Sequence, residues 1–167
     1  MNILITGAMG CSGKGLYKIL SKENTYNLFI SDIYSNTAVE YTPCDLVDLT
    51  SVRSLLEKVK PDAIFHFAGS FSNEYTKDYA TNVLATKNLL NVVKSLKINC
   101  RVLLVGSAAE YGDIAEDDNP VQEIHPLNPI SVYGLTKVFQ TYLMKYYSNT
   151  YSMDIVMARP FNIYGKN

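Results

Sequence analysis

Tyr133 and Lys137 stand four residues apart in a segment whose apolar residues Val132, Leu135, Phe139, Tyr142 and Tyr146 recur at helical spacing, so both side chains leave one face of a helix. A fixed ammonium favours phenolate, and the phenol pKa is expected to fall from its reference of ~10 toward the working pH. A tyrosine tuned in this way gives or takes a proton near neutrality. Ser107 follows the apolar run 101–105 and can hydrogen-bond the same substrate oxygen, helping to hold the charge that develops there. Alone, Tyr-x-x-x-Lys reads as a surface tyrosine beside a solvated lysine. The start of the chain reverses that reading.

Ile3-Leu4-Ile5 leads into Thr6 and then Gly7, Gly10 and Gly13, the pattern of a buried strand, a tight turn and a helix N-terminus. Gly7 permits the turn, Gly10 lets the backbone approach a pyrophosphate, and Gly13 lets helix and strand pack closely. The helix end offers unpaired N–H groups and a partial positive charge to a phosphate. A second apolar run, Leu28-Phe29-Ile30, ends at Asp32, 19 residues beyond Gly13, where a carboxylate is expected to meet the hydroxyls of an adenosine ribose. An oxidised nicotinamide bound there would favour the phenolate further. A P-loop fails twice: Ala8 stands at the first glycine position and Gly15 at the magnesium-binding Ser/Thr. The plainer alternative is a glycine-rich turn with a surface aspartate.

Strand and helix patterns alternate along the whole chain. Strands are predicted at 2–6, 27–31, 40–43, 63–67, 101–105 and 154–158. Helices are predicted at 13–22, at 51–60 with Asp48 or Thr50 as cap and Pro61 beyond its end, at 75–97 without interruption, and at 131–148. A polar loop fills 112–129. Strict alternation implies α/β architecture, a doubly wound parallel sheet with ligands beyond the carboxyl ends of its strands. Gly7, Asp32, Asp45, His66, Ser107 and Asn162 all fall at such ends.

The chain's 167 residues suit one domain, 1–167, and 47% hydrophobic with 19% charged residues is an ordinary globular balance. The net charge of −1, with no basic stripe, gives no sign of a nucleic-acid partner. Cys11, Cys44 and Cys100 form no C-x-x-C pair, which fits a reducing cytoplasm and indicates neither a disulfide framework nor a metal site. No leader pattern is present, and no apolar run approaches the ~20 residues needed to cross a bilayer.

The combined motifs resemble the extended short-chain dehydrogenase/reductase family, the group of nucleotide-sugar epimerases, dehydratases and reductases. They are Thr6-Gly7-Ala8-Met9-Gly10-Cys11-Ser12-Gly13, Asp45-Leu46, Pro61 through Gly69, Asn82-Val83 with Thr86 and Asn88-Leu89-Leu90, Gly106 through Gly112, Tyr133-Gly134-Leu135-Thr136-Lys137, and Arg159 through Gly165. The resemblance covers essentially the whole chain and implies a Rossmann fold with NAD along the first crevice.

It implies Tyr133 as general acid/base, Lys137 on the nicotinamide ribose, and Ser107 on the oxygen of the reacting sugar carbon. Met9, Cys11 and Ser12 would join the three glycines at the cofactor. Asp45 and Leu46 would flank the adenine, Phe67, Ala68 and Gly69 would line the channel, and Pro160 would border it. Ala108 and Asn162 would face the nucleotide-sugar. Asn82 either supports the site or is a core amide. His66 is either packed or catalytic. Glu110 and Tyr111 either face substrate or pack, and His125 lies in a polar loop.

Relatives that eliminate water carry an acid one or two residues after the catalytic Ser/Thr; Ala108 and Ala109 stand there, which disfavours dehydration. The 112–129 loop and its flanks look most like GDP-4-keto-6-deoxy-mannose reductases, whereas Asp32 favours NAD over NADP and so suits an epimerase. Both reactions stay open, as does a non-catalytic dinucleotide-binding module. The family continues past the Arg-Pro-x-Asn-x-Tyr-Gly stretch into a small substrate lobe. The 167 residues are therefore expected to bind dinucleotide and to turn over nucleotide-sugar poorly. Relatives dimerise through the two long helices; Leu89, Val93, Tyr142 and Tyr146 either line that face or belong to the core.

Overall fold

The computed structural model describes residues 1–33 and 41–164; Glu40 of the third predicted strand and Gly165, Lys166 and Asn167 of the final motif lie outside the described residues. Six parallel strands, β1 (Asn2–Thr6), β2 (Asn27–Asp32), β3 (Thr42–Pro43), β4 (Ala63–His66), β5 (Arg101–Val105) and β6 (Ile155–Ala158), form one sheet in the order β3-β2-β1-β4-β5-β6. The order reverses between β1 and β4, so the connections that leave β1 and β4 part to opposite sides and open a crevice beyond the strand ends.

Both faces of the central strand are buried, as the alternation Ile3-Leu4-Ile5 demands. Leu4 points into the larger core with Ile64, Val102 and Ile155, under α2 (Leu49–Val59), α4 (Ala85–Ser95) and α5 (Val132–Tyr151). Ile3, Ile5 and Ile30 point the other way and pack beneath α1 (Cys11–Leu20) through Leu16 and Leu20. Along the paired row Ile5, Phe65, Leu103 and Val156, exposure rises from 0% at Ile5 to 40% at Val156, because α1 covers this face only near β1 and β2.

Helix ends depart from the sequence reading for local reasons. α1 begins two residues early, since Gly7 at φ 67° reverses the chain and Gly10 becomes the cap that receives the Lys14 N–H. Asp48 is the α2 cap, accepting from the N–H groups of Thr50 and Ser51 at 3.0 and 3.3 Å. The predicted helix 75–97 is interrupted: one α-turn, α3 (Tyr75–Asp78), leads into a widened π-turn at Tyr79–Leu84 before α4. In that turn the Thr86 hydroxyl donates to the Asn82 carbonyl at 2.6 Å, a side-chain bond that competes with the helical ladder. Ser131 caps α5, and the helix runs past 148 until Ser152 takes a left-handed conformation.

Leu89 and Val93 are core residues, whereas Tyr142 and Tyr146 are exposed. Replacing Asp48 with Ala is expected to cost about 1 kcal/mol and Thr50→Ala close to nothing; urea unfolding of the two variants separates the cap from its neighbour.

Candidate active site

The crevice at the strand-order reversal has a volume of about 510 Å³, within the range of small-molecule sites. Its floor is Gly7, Met9 and Gly10, one wall is Asp32, Asp45 and Leu46, and the other is Phe67, Ala68 and Gly69. The Asp32 carboxylate accepts from the N–H groups of Met9 and Ile33 at 2.9 and 2.8 Å, which fixes it where β2 meets the glycine turn. A Cβ on Gly10 would meet only the Gly7 carbonyl, at 3.3 Å, so the crevice side of the α1 N-terminus is clear, and the first turn of α1 carries no acidic residue. A glycine-floored turn at the N-terminus of α1, with a carboxylate at one end of the crevice, fits a dinucleotide.

Not every expected residue lines this crevice. Gly13 is buried, with the Gly7 carbonyl packed against it; Cys11 is exposed and Ser12 half-buried on the first turn of α1. Pro160 lies at the far edge, where its carbonyl accepts from the Ala108 N–H at 3.0 Å. Asn162 is exposed and makes no hydrogen bond among the described residues. Sequence reasoning missed Lys77 and Thr81, which line the crevice opposite the carboxylates. Their spacing of four from each other and from Ala85 was the available signal.

Beyond the crevice three elements converge. Ser107 ends the strap after β5 and opens a short turn, Ala108–Glu110. Its Oγ accepts from the Ala109 N–H at 3.1 Å. Its N–H donates to Glu110 Oε1 at 2.9 Å, while Glu110 Oε2 accepts from Thr141 Oγ at 2.5 Å and pairs with Arg159 Nε at 3.0 Å. Glu110 is therefore an internal anchor that faces no substrate, and Tyr111 is equally buried. Gly134 is required next to Tyr133, because a Cβ there would sit 2.5 Å from the Ala109 carbonyl. The first turn of α5 thus rests directly on the Ser107 turn.

Lys137 is buried, donates to the Val105 carbonyl at 2.9 Å, and stands 5.6 Å from the centre of the Tyr133 ring. It and the Asn82 amide both close on the space above Gly69. Asn82 is a buried core amide: its carbonyl oxygen accepts from Ser70 N–H, and its amino group reaches Ser70 O and Thr136 Oγ.

The electrostatics correct one expectation. Burial raises the Tyr133 phenol above its usual value; a Ser107 hydrogen bond opposes this, and the charges of Glu110 and Asp78 add to it. The net shift is upward, not downward as the pairing with Lys137 led one to expect, and the Lys137 ammonium is turned to the end of β5. Burial also pushes Lys137 itself down to about 8, with Glu110 and Asp78 pulling the other way.

His66 is fully packed. Thr86 Oγ gives its single proton to the Asn82 carbonyl, so it accepts from both Gln140 Nε2 at 2.6 Å and His66 Nε2 at 3.1 Å. The imidazole consequently carries its proton on Nε2 and accepts at Nδ1 from Thr6 Oγ at 2.8 Å. Burial, then the Lys137 charge, depresses its pKa to about 3, which keeps it neutral.

The model of the NAD dependent epimerase/dehydratase family matches residues 3–167. GDP-6-deoxy-D-talose 4-dehydrogenase of Aggregatibacter actinomycetemcomitans is 33% identical over 99% of this chain and 54% of its own length. UDP-glucose 4-epimerase from Brucella ovis, solved in complex with NAD, superposes with a TM-score of 0.87 at 28% identity, over 96% of this chain and 52% of that one. RMD from Pseudomonas aeruginosa, solved with NADPH, gives 0.80 at 26% identity, over 97% of this chain and 55% of that one. The chain spans about half the length of the curated relatives it matches.

The Lys137 shift has a stability consequence. Between pH 8 and 10.5 the unfolded chain holds the lysine proton that the folded chain has released. The Lys137 contribution to stability therefore rises with pH through that window, by up to about 3 kcal/mol, while burial, which pushes the Cys100 thiol up to about 11, works the other way above pH 9. Urea unfolding across this range isolates the lysine by difference: the stability of the native chain relative to Lys137→Met is expected to grow with pH by this amount.

Proposed function

This chain belongs to the NAD dependent epimerase/dehydratase family, and from that premise we propose that it holds NAD along the glycine-floored crevice and serves hydride transfer at a carbon of a nucleotide-sugar. The observation that carries this reading is the meeting of Tyr133, Lys137 and the Ser107 turn at the carboxyl edge of the sheet, beside that crevice. A dinucleotide with bare backbone under its phosphates and Asp32 at its adenosine ribose is the ligand that this crevice suits.

The dinucleotide supplies the ring that accepts or returns the hydride. Everything else falls to side chains. Asp32 accepts hydrogen bonds from the ribose hydroxyls and repels a 2′-phosphate, which favours NAD over NADP. Gly7, Met9, Gly10, Cys11, Ser12 and Gly13 form the phosphate turn. Asp45 and Leu46 flank the adenine, Phe67, Ala68 and Gly69 wall the channel, and Pro160 borders it. Lys137 and Asn82 order the site above Gly69. Ser107 donates to the sugar oxygen, Tyr133 takes or gives the proton on that oxygen, and Ala108 and Asn162 lie toward the sugar.

The reaction in this reading is a redox change at the sugar's C4, as reduction of a 4-keto group or as 4-epimerisation, which the named activities of the relatives support; its place in the cytoplasm rests on the scattered, unpaired cysteines alone. No helix among the described residues is long and apolar enough to cross a membrane. The working unit is a homodimer in this reading. Tyr75, Tyr79, Tyr142 and Tyr146 line an apolar groove between α3 and α5, and sedimentation equilibrium giving a monomer removes that element.

Tyr133→Phe is expected to leave NAD affinity within about twofold by calorimetry and, in a form that carries the family's substrate lobe, to lower turnover of nucleotide-sugars by about 10²–10⁴. Turnover that survives the change ends the acid/base assignment. A chain with no affinity for any pyridine dinucleotide ends the whole reading. Asp32→Ala is expected to narrow the preference for NAD over NADP in the same titrations.

A further inference from the structure

The segment between β4 and α3 is bonded at nearly every step. Asn82 holds Ser70 through both its N–H and its carbonyl, at 2.8 and 2.9 Å. The Asp78 carboxylate, 0% exposed, accepts from Ser72 N–H at 3.0 Å, Ser72 Oγ at 2.7 Å and Asn73 N–H at 2.9 Å. Asn73 sits in the left-handed region at φ 59°, and its side-chain oxygen accepts from the Tyr133 N–H at 3.3 Å. Phe71, between these pinned residues, is left 73% exposed. Its ring nevertheless meets the Tyr133 ring edge-on, with centroids 4.7 Å apart at 89°, the arrangement aromatic pairs prefer. A buried carboxylate committed to three donors of a surface loop calls for a reason, and the loop's two outward contacts both go to residue 133.

We propose that Asp78 is a positioning residue for Tyr133: it fixes the 70–74 loop so that Phe71 covers one side of the phenol ring and Asn73 holds the first turn of α5. The inference rests on the reading of Tyr133 as the acid/base, because only then does the loop shape a working group. The charged groups that face Tyr133 are Asp78 on α3, Glu110 in the turn behind Ser107, and Lys137 on its own helix. The free face of Phe71 remains open to the apolar face of a sugar ring.

The test needs no turnover. Tyrosines labelled with carbon-13 at Cζ are titrated by NMR in the native chain and in Asp78→Asn, Phe71→Ala and the double variant, with Tyr133→Phe identifying the signal. Removal of Phe71 uncovers the phenol, so the Tyr133 midpoint is expected to fall toward 10 while the other tyrosines keep theirs. Asp78→Asn is expected to lower it as well, by loss of the loop and of a negative charge. The double variant separates the two: with Phe71 already gone, replacing Asp78 is expected to move the midpoint less than it does in the native chain.

A Tyr133 midpoint unmoved in folded Phe71→Ala overturns the proposal, as does full additivity in the double variant. If Asp78→Asn fails to fold, Phe71→Ala and Asn73→Ala, both at exposed positions, decide the matter by the same titration. Turnover that survives Tyr133→Phe would end the acid/base reading and with it the catalytic purpose of the loop, even where the titration shows the loop holding Tyr133; an unmoved titration overturns the positioning and leaves the acid/base reading standing.

Discussion

Parallel pairing is the constraint on which this molecule depends. Six strands that all run the same way place all their carboxyl ends at one edge, and every connection between them must cross a face as a helix. Chemistry-bearing residues spread from Gly7 to Arg159 are thereby gathered at one rim by the sheet itself. Reversal of the order between β1 and β4 then supplies the opening. The same constraint explains the burial pattern: strands with helices on both faces read as unbroken apolar runs, and where a face lacks a covering helix, at Leu103 and Val156, exposure rises.

Within that frame, the finer geometry is set by buried polar groups that are almost all satisfied. Glu110 joins the Ser107 turn, α5 and the segment after β6 through one carboxylate. Arg159 extends the junction to the Tyr111 hydroxyl and the Glu123 carbonyl, each at 3.3 Å, and so ties down the polar loop. A buried pair of this kind gains little over an apolar pair of the same shape, but removal of one partner leaves a charge stranded, at a cost of about 3–5 kcal/mol. Its value here is positional: the Ser107 amide and the helix bearing Tyr133 cannot shift independently. On the opposite side of the site the Thr6, His66, Thr86 and Gln140 chain does the same for β1, β4, α4 and α5, with a histidine held neutral.

Much of this was legible in the chain itself. Alternating apolar runs of two periods gave the six strands and the doubly wound class. Gly7 and Gly10 with Asp32 marked the crevice they line, and Gly13 the close packing beneath it, because backbone without a Cβ makes that turn and that contact. Tyr133 and Lys137 were visible as a pair because a helix places residues four apart on one face. Their environment was not visible. The sign of the Tyr133 shift depends on how far the ring is buried and on Glu110 and Asp78, residues 23 and 55 positions away in the chain, and no local pattern reports that.

The π-turn at Tyr79–Leu84 and the contacts of Asp78 escaped the sequence, and the alternatives open at Asn82 and Glu110 could not be closed there, for the same reason. Each is a polar residue whose partners are chosen by packing, and a helix-forming stretch reads the same whether or not Thr86 turns its hydroxyl back on the Asn82 carbonyl. Residue order alone determined which way the strands run, where the glycine turn falls and which side chains share a rim, since these follow from periodicity and from what glycine permits. Only the folded chain decided which carboxylates face inward, where the lysine ammonium points and which aromatic ring lies against Tyr133, since these depend on distances between elements far apart in sequence.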